Sequence, residues 1–199
     1  MSVSLKSRRV VRLGILAVLV AAGAVAATAG AARLATPRSF VWLVPAAPPA
    51  GWRALVPASK TSQMWYPPSM HRTTGDPYAV AAAQKDAAGT FLTYLEAGPS
   101  NGGEQVRGWP SFRIAHLREE GDTSVNETAA ASGLAFRGGN GSCVIDDYVT
   151  RVRSHHYREI ACIAQGKTTT SVIVASALAS RWTQYAPELE RAVAAWEVR

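Results

Sequence analysis

Residues 142–165 read SCVIDDYVTRVRSHHYREIACIAQ and contain both cysteines of the 199-residue chain. Two strands on either side of the central turn can form a hairpin in which Cys143 lies opposite Cys162. Apolar, aromatic and opposite-charge pairs across neighbouring strands stabilise a sheet, and this register produces all three kinds. The pairs that it predicts are Ile145 with Ile160, Asp147 with Arg158, Val144 with Ala161, and Tyr148 with Tyr157.

The two cysteines are predicted to form a structural disulfide. Outside the cytoplasm such a bond persists, and a loop of about 20 residues contributes on the order of 3 kcal/mol in the chain-entropy model. The alternative is a redox or metal site. The chain has no C-x-x-C motif, and two cysteines alone rarely hold a metal.

The same register places two carboxylates opposite each other, Asp146 and Glu159. Neighbouring carboxylates can bind a cation, or share a proton when the pKa of one of them is raised. The alternative is that a nearby arginine (Arg113, Arg137 or Arg151) neutralises the pair, as in many structural networks. The pair is therefore a candidate cation or polar site.

The remaining pattern indicates alternating strands and a few helices. Residues 78–88 are rich in alanine and favour a strand or an irregular segment. Ser124-x-x-Glu127 is typical of a capping box and predicts a helix that ends at Gly133. Pro187 suits the first turn of a closing helix. Strands are predicted at 52–56, 64–66, 90–97, 134–137, 142–152, 157–165 and 168–178, and helices at 111–120, 124–133 and 187–196. This order indicates an α+β fold with an antiparallel sheet.

The N-terminus has the features of an export segment. Residues 1–12 are basic and are expected to stay in the cytoplasm, which places the C-terminus outside. Residues 13–32 carry no charge, and about 20 apolar residues span a bilayer. We expect a transmembrane signal anchor over residues 13–35. The alternative is a cleaved signal peptide, because small residues in A-x-A patterns dominate the second half of the run, and the domain would then be secreted.

Residues 36–50 contain four prolines among alanines. Such a segment predicts an extended spacer that holds the domain away from the membrane. Residues 51–199 are long enough for one extracytoplasmic domain with one core.

The high positive charge of the chain does not indicate nucleic-acid binding. The formal net charge is +7, but five of the 21 basic residues lie before Pro37. The other 16 nearly balance the 14 acidic residues, and a nucleic-acid footprint needs a clustered basic face.

No catalytic or cofactor motif stands out elsewhere. The run Gly138-Gly139-Asn140-Gly141 predicts a turn rather than a phosphate loop, because no helix with Lys-Ser/Thr follows it. His155 and His156 lie at the predicted hairpin turn and point opposite ways, so they are poor co-ligands. The spacing of Arg113, His116 and Glu120 predicts a solvated polar helix face. We expect no cofactor, no metal and no catalytic residue.

Two stretches resemble PsbP-like domains of the Mog1/PsbP/LpqN type. The Trp-Tyr-Pro-Pro-Ser-Met run at 65–70 is similar to their opening. The strand at 172–177, followed by Trp182 and the helix at 187–196, is similar to their ending. The middle of the chain, with residues 93–99, 108–109 and 141–144, resembles membrane-anchored proteins of unknown function from GC-rich, actinobacterial-type bacteria. The resemblance implies an α/β/α sandwich that binds other proteins and has no shared catalytic set.

Together these observations predict a non-enzymatic, membrane-tethered domain outside the cytoplasm. Its expected partner is a protein or a cell-envelope component. The alternative is an envelope enzyme or cation-binding domain that uses Asp146 and Glu159.

Overall fold

The computed structural model describes residues 38–199. The export segment predicted over residues 1–35 and the first two residues of the predicted spacer lie outside this range. Within it, the chain forms ten strands, two α-helices, and short 3-10 helices at Arg38–Phe40 and Ala179–Arg181. The strands and helices are β1 (Arg53–Leu55), β2 (Ser62–Tyr66), β3 (His71–Thr73), β4 (Val80–Lys85), β5 (Phe91–Pro99), α1 (Trp109–Glu119), β6 (Thr123–Phe136), β7 (Gly139–Val149), β8 (His156–Gln165), β9 (Thr170–Leu178), α2 (Trp182–Ala195) and β10 (Glu197–Val198).

Seven strands form one antiparallel sheet in the order β3-β4-β5-β9-β8-β7-β6. The first three follow one another in the chain, and so do the last four. Strand β9 returns to pair with β5 and joins the two groups. Strands β1, β2 and β10 form a separate small sheet.

The predicted hairpin register is confirmed. Strands β7 and β8 pair with Cys143 opposite Cys162, and all the predicted pairs occur. The two cysteines form a disulfide, with their Cα atoms 4.1 Å apart. Both are fully buried, so the bond joins two central strands inside the core.

The large sheet has apolar residues on both faces. On one face, Cys143, Ile160 and Cys162 belong to a large core that includes Leu189 and Trp196 of the C-terminal segment. On the other face, Val144, Ala161 and Ile163 belong to a smaller core with Trp109 and Ile114 of α1. The prediction of an α+β fold, with an antiparallel sheet flanked by helices, is confirmed.

The helix predicted over residues 124–133 is wrong, because this segment belongs to the long strand β6. Ser124 has φ 52°, which differs from the extended backbone that an N-cap serine needs. The strand pairs with β7 along its length, with register shifts near residues 123–134. Pairing with a neighbouring strand outweighs the helix propensity of the alanines, which the local sequence does not reveal.

Two other boundaries differ from the predictions. The turn before β7 lies at Arg137 and Gly138, and Gly139 already begins the strand. Helix α2 begins at Trp182, so Pro187 lies inside it rather than in its first turn. Tyr185 and Ala186, directly before the proline, are buried, and this packing offsets the hydrogen bond that a proline removes.

Residues 40–46, which the sequence analysis placed in a spacer, contact the domain instead. Phe40 and Leu43 are buried in the large core. The backbone N–H of Ala46 donates a hydrogen bond to the carbonyl oxygen of Ala194, at 3.0 Å. The folded domain therefore begins before residue 51.

Candidate functional site

A row of polar side chains crosses the face of the large sheet that carries α1. Tyr94 of β5 is paired with Ser176 of β9, and Ser176 is paired with Glu159 of β8. Glu159 is in turn paired with Asp146 of β7. Ser176, Glu159 and Asp146 are buried. The sheet register thus collects polar groups from four strands on one face.

Arg113 of α1 neutralises Glu159. Its Nε and Nη2 donate hydrogen bonds to the two carboxylate oxygens of Glu159, at 2.6 and 3.0 Å. Burial alone would lower the pKa of Arg113, but the contact with Glu159 outweighs burial and raises it. Arg113 is therefore the arginine that meets the carboxylate pair. The predicted solvated helix face is therefore wrong for Arg113, which is mostly buried. His116 and Glu120 do lie on an exposed helix face, with Nε2 of His116 3.3 Å from Oε1 of Glu120.

Asp146 is the unsatisfied member of the row. It is fully buried, and neither of its carboxylate oxygens has a hydrogen-bond partner within residues 38–199. Burial and the nearby charge of Glu159 raise the pKa of Asp146 to about 9, although Arg113 acts in the opposite direction. The carboxyl group of Asp146 is therefore protonated and neutral at pH 7.

An open groove of about 580 Å³ lies on the same face of the sheet. Its floor is formed by Tyr94, Tyr148, Tyr157 and Ser176. The β7–β8 turn and the segment before β5 form its walls, and the surface exposed inside is mostly apolar. The wall residues are Thr74, Gly89, Thr90, Phe91, Thr150, Val152, Arg153 and His155.

The tyrosines on the floor are held in fixed orientations. The hydroxyl of Tyr157 donates to the carbonyl oxygen of Phe91, at 2.9 Å, and the hydroxyl of Tyr94 donates to Glu96. Tyr148 stacks on Tyr157, with ring centroids 6.0 Å apart and planes inclined by 27°. Two hydroxyls are thus engaged with the protein, and the rings form the surface of the groove.

The wall between β7 and β8 is a structured turn. Thr150 and His155 close it, because the N–H of Thr150 donates to the carbonyl of His155 at 2.9 Å, and the N–H of His155 donates to Oγ1 of Thr150 at 3.0 Å. Arg153 and Ser154 have φ of 65° and 52°, a left-handed backbone that residues other than glycine rarely adopt. This turn carries Val152, which is 65% exposed, to the mouth of the groove.

The pKa values of the three floor tyrosines are all raised, first by burial and then by carboxylates. Glu96 and Asp76 act on Tyr94, and Asp86 acts on Tyr157.

The pKa of Tyr148 is raised by burial and by a different set of carboxylates. After burial, Glu159 has the largest effect on its pKa, Asp146 and Asp122 raise it further, and Arg113 lowers it. A phenol with raised pKa stays neutral at pH 7, so these tyrosines are not available there as bases.

The two histidines of the turn separate, as the strand geometry predicts. His155 lines the groove, and its Nε2 is buried without a hydrogen-bond partner in the described part of the chain. His156 is exposed, and its Nε2 lies 3.9 Å from Asp147. Residues 38–199 contain no group of three His, Cys, Asp or Glu side chains that could hold a metal ion.

The groove was not predicted from the sequence as a site. The Tyr148–Tyr157 pair followed from the hairpin register, but Tyr94 reaches them only through the pairing of β5 with β9 and β9 with β8. The alternation of apolar and polar residues in β5 was the one available signal for the direction of Tyr94.

The chain has the PsbP-like fold. It resembles the solution structure of cyanobacterial PsbP (CyanoP) from Synechocystis sp. PCC 6803, with a TM-score of 0.50 and 12% sequence identity over 74% of this chain and 92% of that one. The cyanobacterial structure therefore supports the fold that the sequence resemblance implied.

Two other solved structures are matched at lower TM-scores. LpqN, involved in cell envelope biogenesis of Mycobacterium tuberculosis, is 11% identical, with a TM-score of 0.38 over 76% of this chain and 80% of that one. A protein from Bacteroides thetaiotaomicron is 13% identical, with a TM-score of 0.43 over 74% of this chain and 48% of that one.

No family model matches the sequence. No curated protein matches it either. Within residues 38–199, no helix is both long enough and apolar enough to cross a membrane.

Proposed function

We propose that the chain is a non-enzymatic domain outside the cytoplasm, tethered to the membrane by residues 13–35, that binds a protein or cell-envelope component in the tyrosine-floored groove. The observation that carries this proposal is the groove itself. It is an open cavity with a mostly apolar surface and fixed aromatic side chains, which is the usual composition of a binding site.

The disulfide supports the extracytoplasmic part of the proposal. The bond between Cys143 and Cys162 lies in the core, and such bonds persist in oxidising compartments. The basic flank and the uncharged run at the N-terminus support the tether.

The chemistry of the polar row supports a role without catalysis. The arginine of the row is engaged by Glu159, and the hydroxyl of Tyr94 is engaged by Glu96. A nucleophile beside an available base is the common signature of covalent catalysis. The groove residues do not form such a pair.

Site-specific photocrosslinking in the full-length chain tests the binding proposal. A photoreactive residue at Val152, at the mouth of the groove, is expected to form a discrete adduct in cells. The matched control is Val56, which is also exposed but lies outside the groove. Equal labelling from both positions, or none from Val152, would contradict the proposal.

An envelope enzyme or cation binder that uses Asp146 and Glu159 stays the second candidate. The unpartnered, buried carboxyl group of Asp146 favours it, because such a group can act as an acid. The position of Arg113 disfavours it, since the guanidinium already occupies both oxygens of Glu159. Calorimetric titration with Ca²⁺, Mg²⁺ and Zn²⁺ tests the candidate. Heat that disappears in Asp146→Asn would support it, and absence of heat would remove the cation-binding form.

A further inference from the structure

The first structured residues of the domain expose apolar side chains to the surroundings. Phe40 and Leu43 are buried in the large core, whereas Val41 and Val44 are each 64% exposed. The N–H of Leu43 donates a hydrogen bond to the carbonyl oxygen of Phe40 at 3.0 Å, and this bond makes residues 40–44 a compact turn, which we call the N-terminal turn. Two apolar side chains of the turn are thus fixed in the domain, and two others face outward.

Trp42 lies between the two exposed valines and is held in place. Its indole Nε1 donates a hydrogen bond to the carbonyl oxygen of Ser39 at 2.7 Å, and its ring centroid lies 6.2 Å from that of Phe40. The side chain is partly buried against the large core. Tryptophan is enriched where proteins meet the interfacial region of a bilayer, so the residue types of the turn suit that region.

The connection between the predicted membrane anchor and the N-terminal turn is short. The anchor is predicted to end at residue 35, and Phe40, five positions further along the chain, is fixed in the core. A fully extended chain covers at most about 3.5 Å per residue, so the turn lies within about 18 Å of the end of the anchor. The headgroup region on each side of a bilayer core is itself about 5 to 8 Å thick. The exposed valines are therefore held next to the bilayer.

The proline-rich segment does not lengthen this connection. Most of it, residues 45–50, comes after the turn in the chain. The N–H of Ala46 donates a hydrogen bond to the carbonyl oxygen of Ala194 in α2. These residues therefore belong to the surface of the domain and do not separate it from the membrane.

The charge of the N-terminal part of the domain favours an anionic surface. Residues 36–75 contain four basic residues and no acidic one, and the first acidic residue of the chain is Asp76. Arg53 and Lys60 are exposed, and neither forms an ion pair within residues 38–199. A basic side chain near a bilayer that contains anionic lipids strengthens binding about fivefold.

We infer that the N-terminal turn is a membrane-contact surface, with Val41, Trp42 and Val44 in the headgroup region of an anionic phospholipid bilayer. The domain then rests on the membrane, in place of the stand-off expected from the proline-rich composition. This inference rests on the proposed tether. The occupant is the lipid surface, because the short connection keeps the turn beside the bilayer.

Photocrosslinking in nanodiscs tests the contact. A photoreactive residue replaces Val44 in the full-length chain, which is reconstituted in nanodiscs of phosphatidylglycerol and phosphatidylcholine. The control position is Tyr78, which is 77% exposed and lies outside the turn and the groove. We expect about fivefold more lipid adduct from Val44 than from Tyr78, since burial of about half a valine side chain shifts an equilibrium by this factor.

A second comparison separates contact from mere proximity to the anchor. With the photoreactive residue at Val41, Val44→Asp should lower the lipid adduct about fivefold, because a charged side chain stays in water. Tyr78→Asp is the control and should leave the adduct unchanged. Both substituted side chains are exposed, and circular dichroism checks that each variant is folded. The connection has the same length in all variants, so an adduct that Val44→Asp does not lower would overturn the inference.

A third comparison varies the charge of the lipid. In nanodiscs of phosphatidylcholine alone, the adduct from Val44 should fall about fivefold. Arg53→Gln should lower the adduct in the anionic nanodiscs and leave it unchanged in the neutral ones. Equal adducts in both kinds of nanodisc would overturn the preference for an anionic surface.

The mass of the chain isolated from cells tests the tether separately. If the mass includes residues 1–35 and Val44 gives no lipid adduct, or no more than Tyr78 gives, the inference is wrong and the tether stands. A mass that shows cleavage before residue 36 would overturn both. Crosslinking from Val152 to a partner reports on the groove independently of either result.

Discussion

Asp146 lies in an environment that disfavours its ionised form. It is a fully buried carboxyl group with a pKa of about 9, because burial and the charge of Glu159 both disfavour its ionised form. The unfolded chain releases this proton above about pH 4, whereas the folded chain holds it. The stability contributed by the proton is therefore complete below about pH 4 and is lost progressively as the pH rises to about 9.

Asp146→Asn is expected to stabilise the fold at alkaline pH. Asparagine is a neutral isostere of the protonated carboxyl group, so it has no proton to lose. We expect the free energy of unfolding at pH 8 to rise by about 2 kcal/mol and its decline between pH 5 and 9 to become shallower. Urea titrations at several pH values measure both effects.

Asp147→Asn is the matched control for this prediction. Asp147 accepts hydrogen bonds from Nε and Nη2 of Arg158, at 2.9 and 2.7 Å, so its charge is already satisfied. This substitution should not raise stability at pH 8. A variant Asp146→Asn that is less stable than the natural chain at pH 8 would contradict our description of the site.

Removal of Arg113 is expected to destabilise the fold through Glu159. Arg113→Met leaves a fully buried carboxylate without its two hydrogen bonds, which costs about 3 kcal/mol. Addition of Glu159→Gln removes the unpaired charge and should recover most of the loss. Thermal unfolding of both variants measures this coupling, and equal losses in the single and double variants would show that the charge of Glu159 is not the cause.

At the scale of the element, the glycines at the start of β7 belong to a strand, although the sequence pattern predicted a turn there. Gly141 is paired with Ala164 of β8 and belongs to the ladder. A Cβ atom at this position would lie closer to the carbonyl oxygen of Ile163 than real contacts allow. The glycine is therefore needed for close approach of two strands rather than for chain reversal.

Gly141→Ala is expected to destabilise the domain by about 3 kcal/mol, because a backbone carbonyl has to move within the central ladder. Gly102→Ala is the control, since a Cβ atom there meets open space. Melting temperatures measured by circular dichroism compare the two variants. An equal, small effect of both would contradict the close approach seen between β7 and β8.

Within the large sheet, the strands β7, β8 and β9 were predictable, whereas the two edge strands β3 and β6 were not. Strands β7 and β8 were predicted because their residues form matching pairs across the hairpin, and β9 because it contains a run of β-branched and small apolar residues. Strand β6 lies at the edge of the sheet, and its alanine-rich sequence resembles a helix as much as a strand. Strand β3 has three residues, too few for any periodicity to appear.

At the scale of the molecule, the large core includes residues of the segment that the sequence analysis placed in a spacer. Phe40 is fully buried in the large core, whereas its neighbour Val41 is 64% exposed. The proline-rich composition of this segment predicts an extended backbone, but it does not exclude that one aromatic side chain packs against the domain.

Phe40→Ala is expected to lower the free energy of unfolding by about 3 kcal/mol, since it removes a large buried side chain and leaves a cavity. Val41→Ala should change it by less than about 0.5 kcal/mol, because an exposed side chain has little packing to lose. Guanidinium titrations compare the two. Equal stability of both variants would show that residues 38–50 do not belong to the cooperative unit.

The sequence by itself determined the hairpin register, the disulfide and the α+β class. These features follow from the alternation of apolar and polar residues and from residue pairs across one hairpin. The two strands of a hairpin are close in the chain, so the matching of their side chains can be read from the sequence. Only the tertiary structure decided the identity of β6, the partner of Glu159 and the groove. Arg113 meets Glu159 across 46 residues, and Tyr157 meets the carbonyl of Phe91 across 66. Contacts of this kind depend on the order of the strands in the sheet and on which face of the sheet a helix covers. The packing of the whole core determines that arrangement, and no short stretch of sequence does so alone.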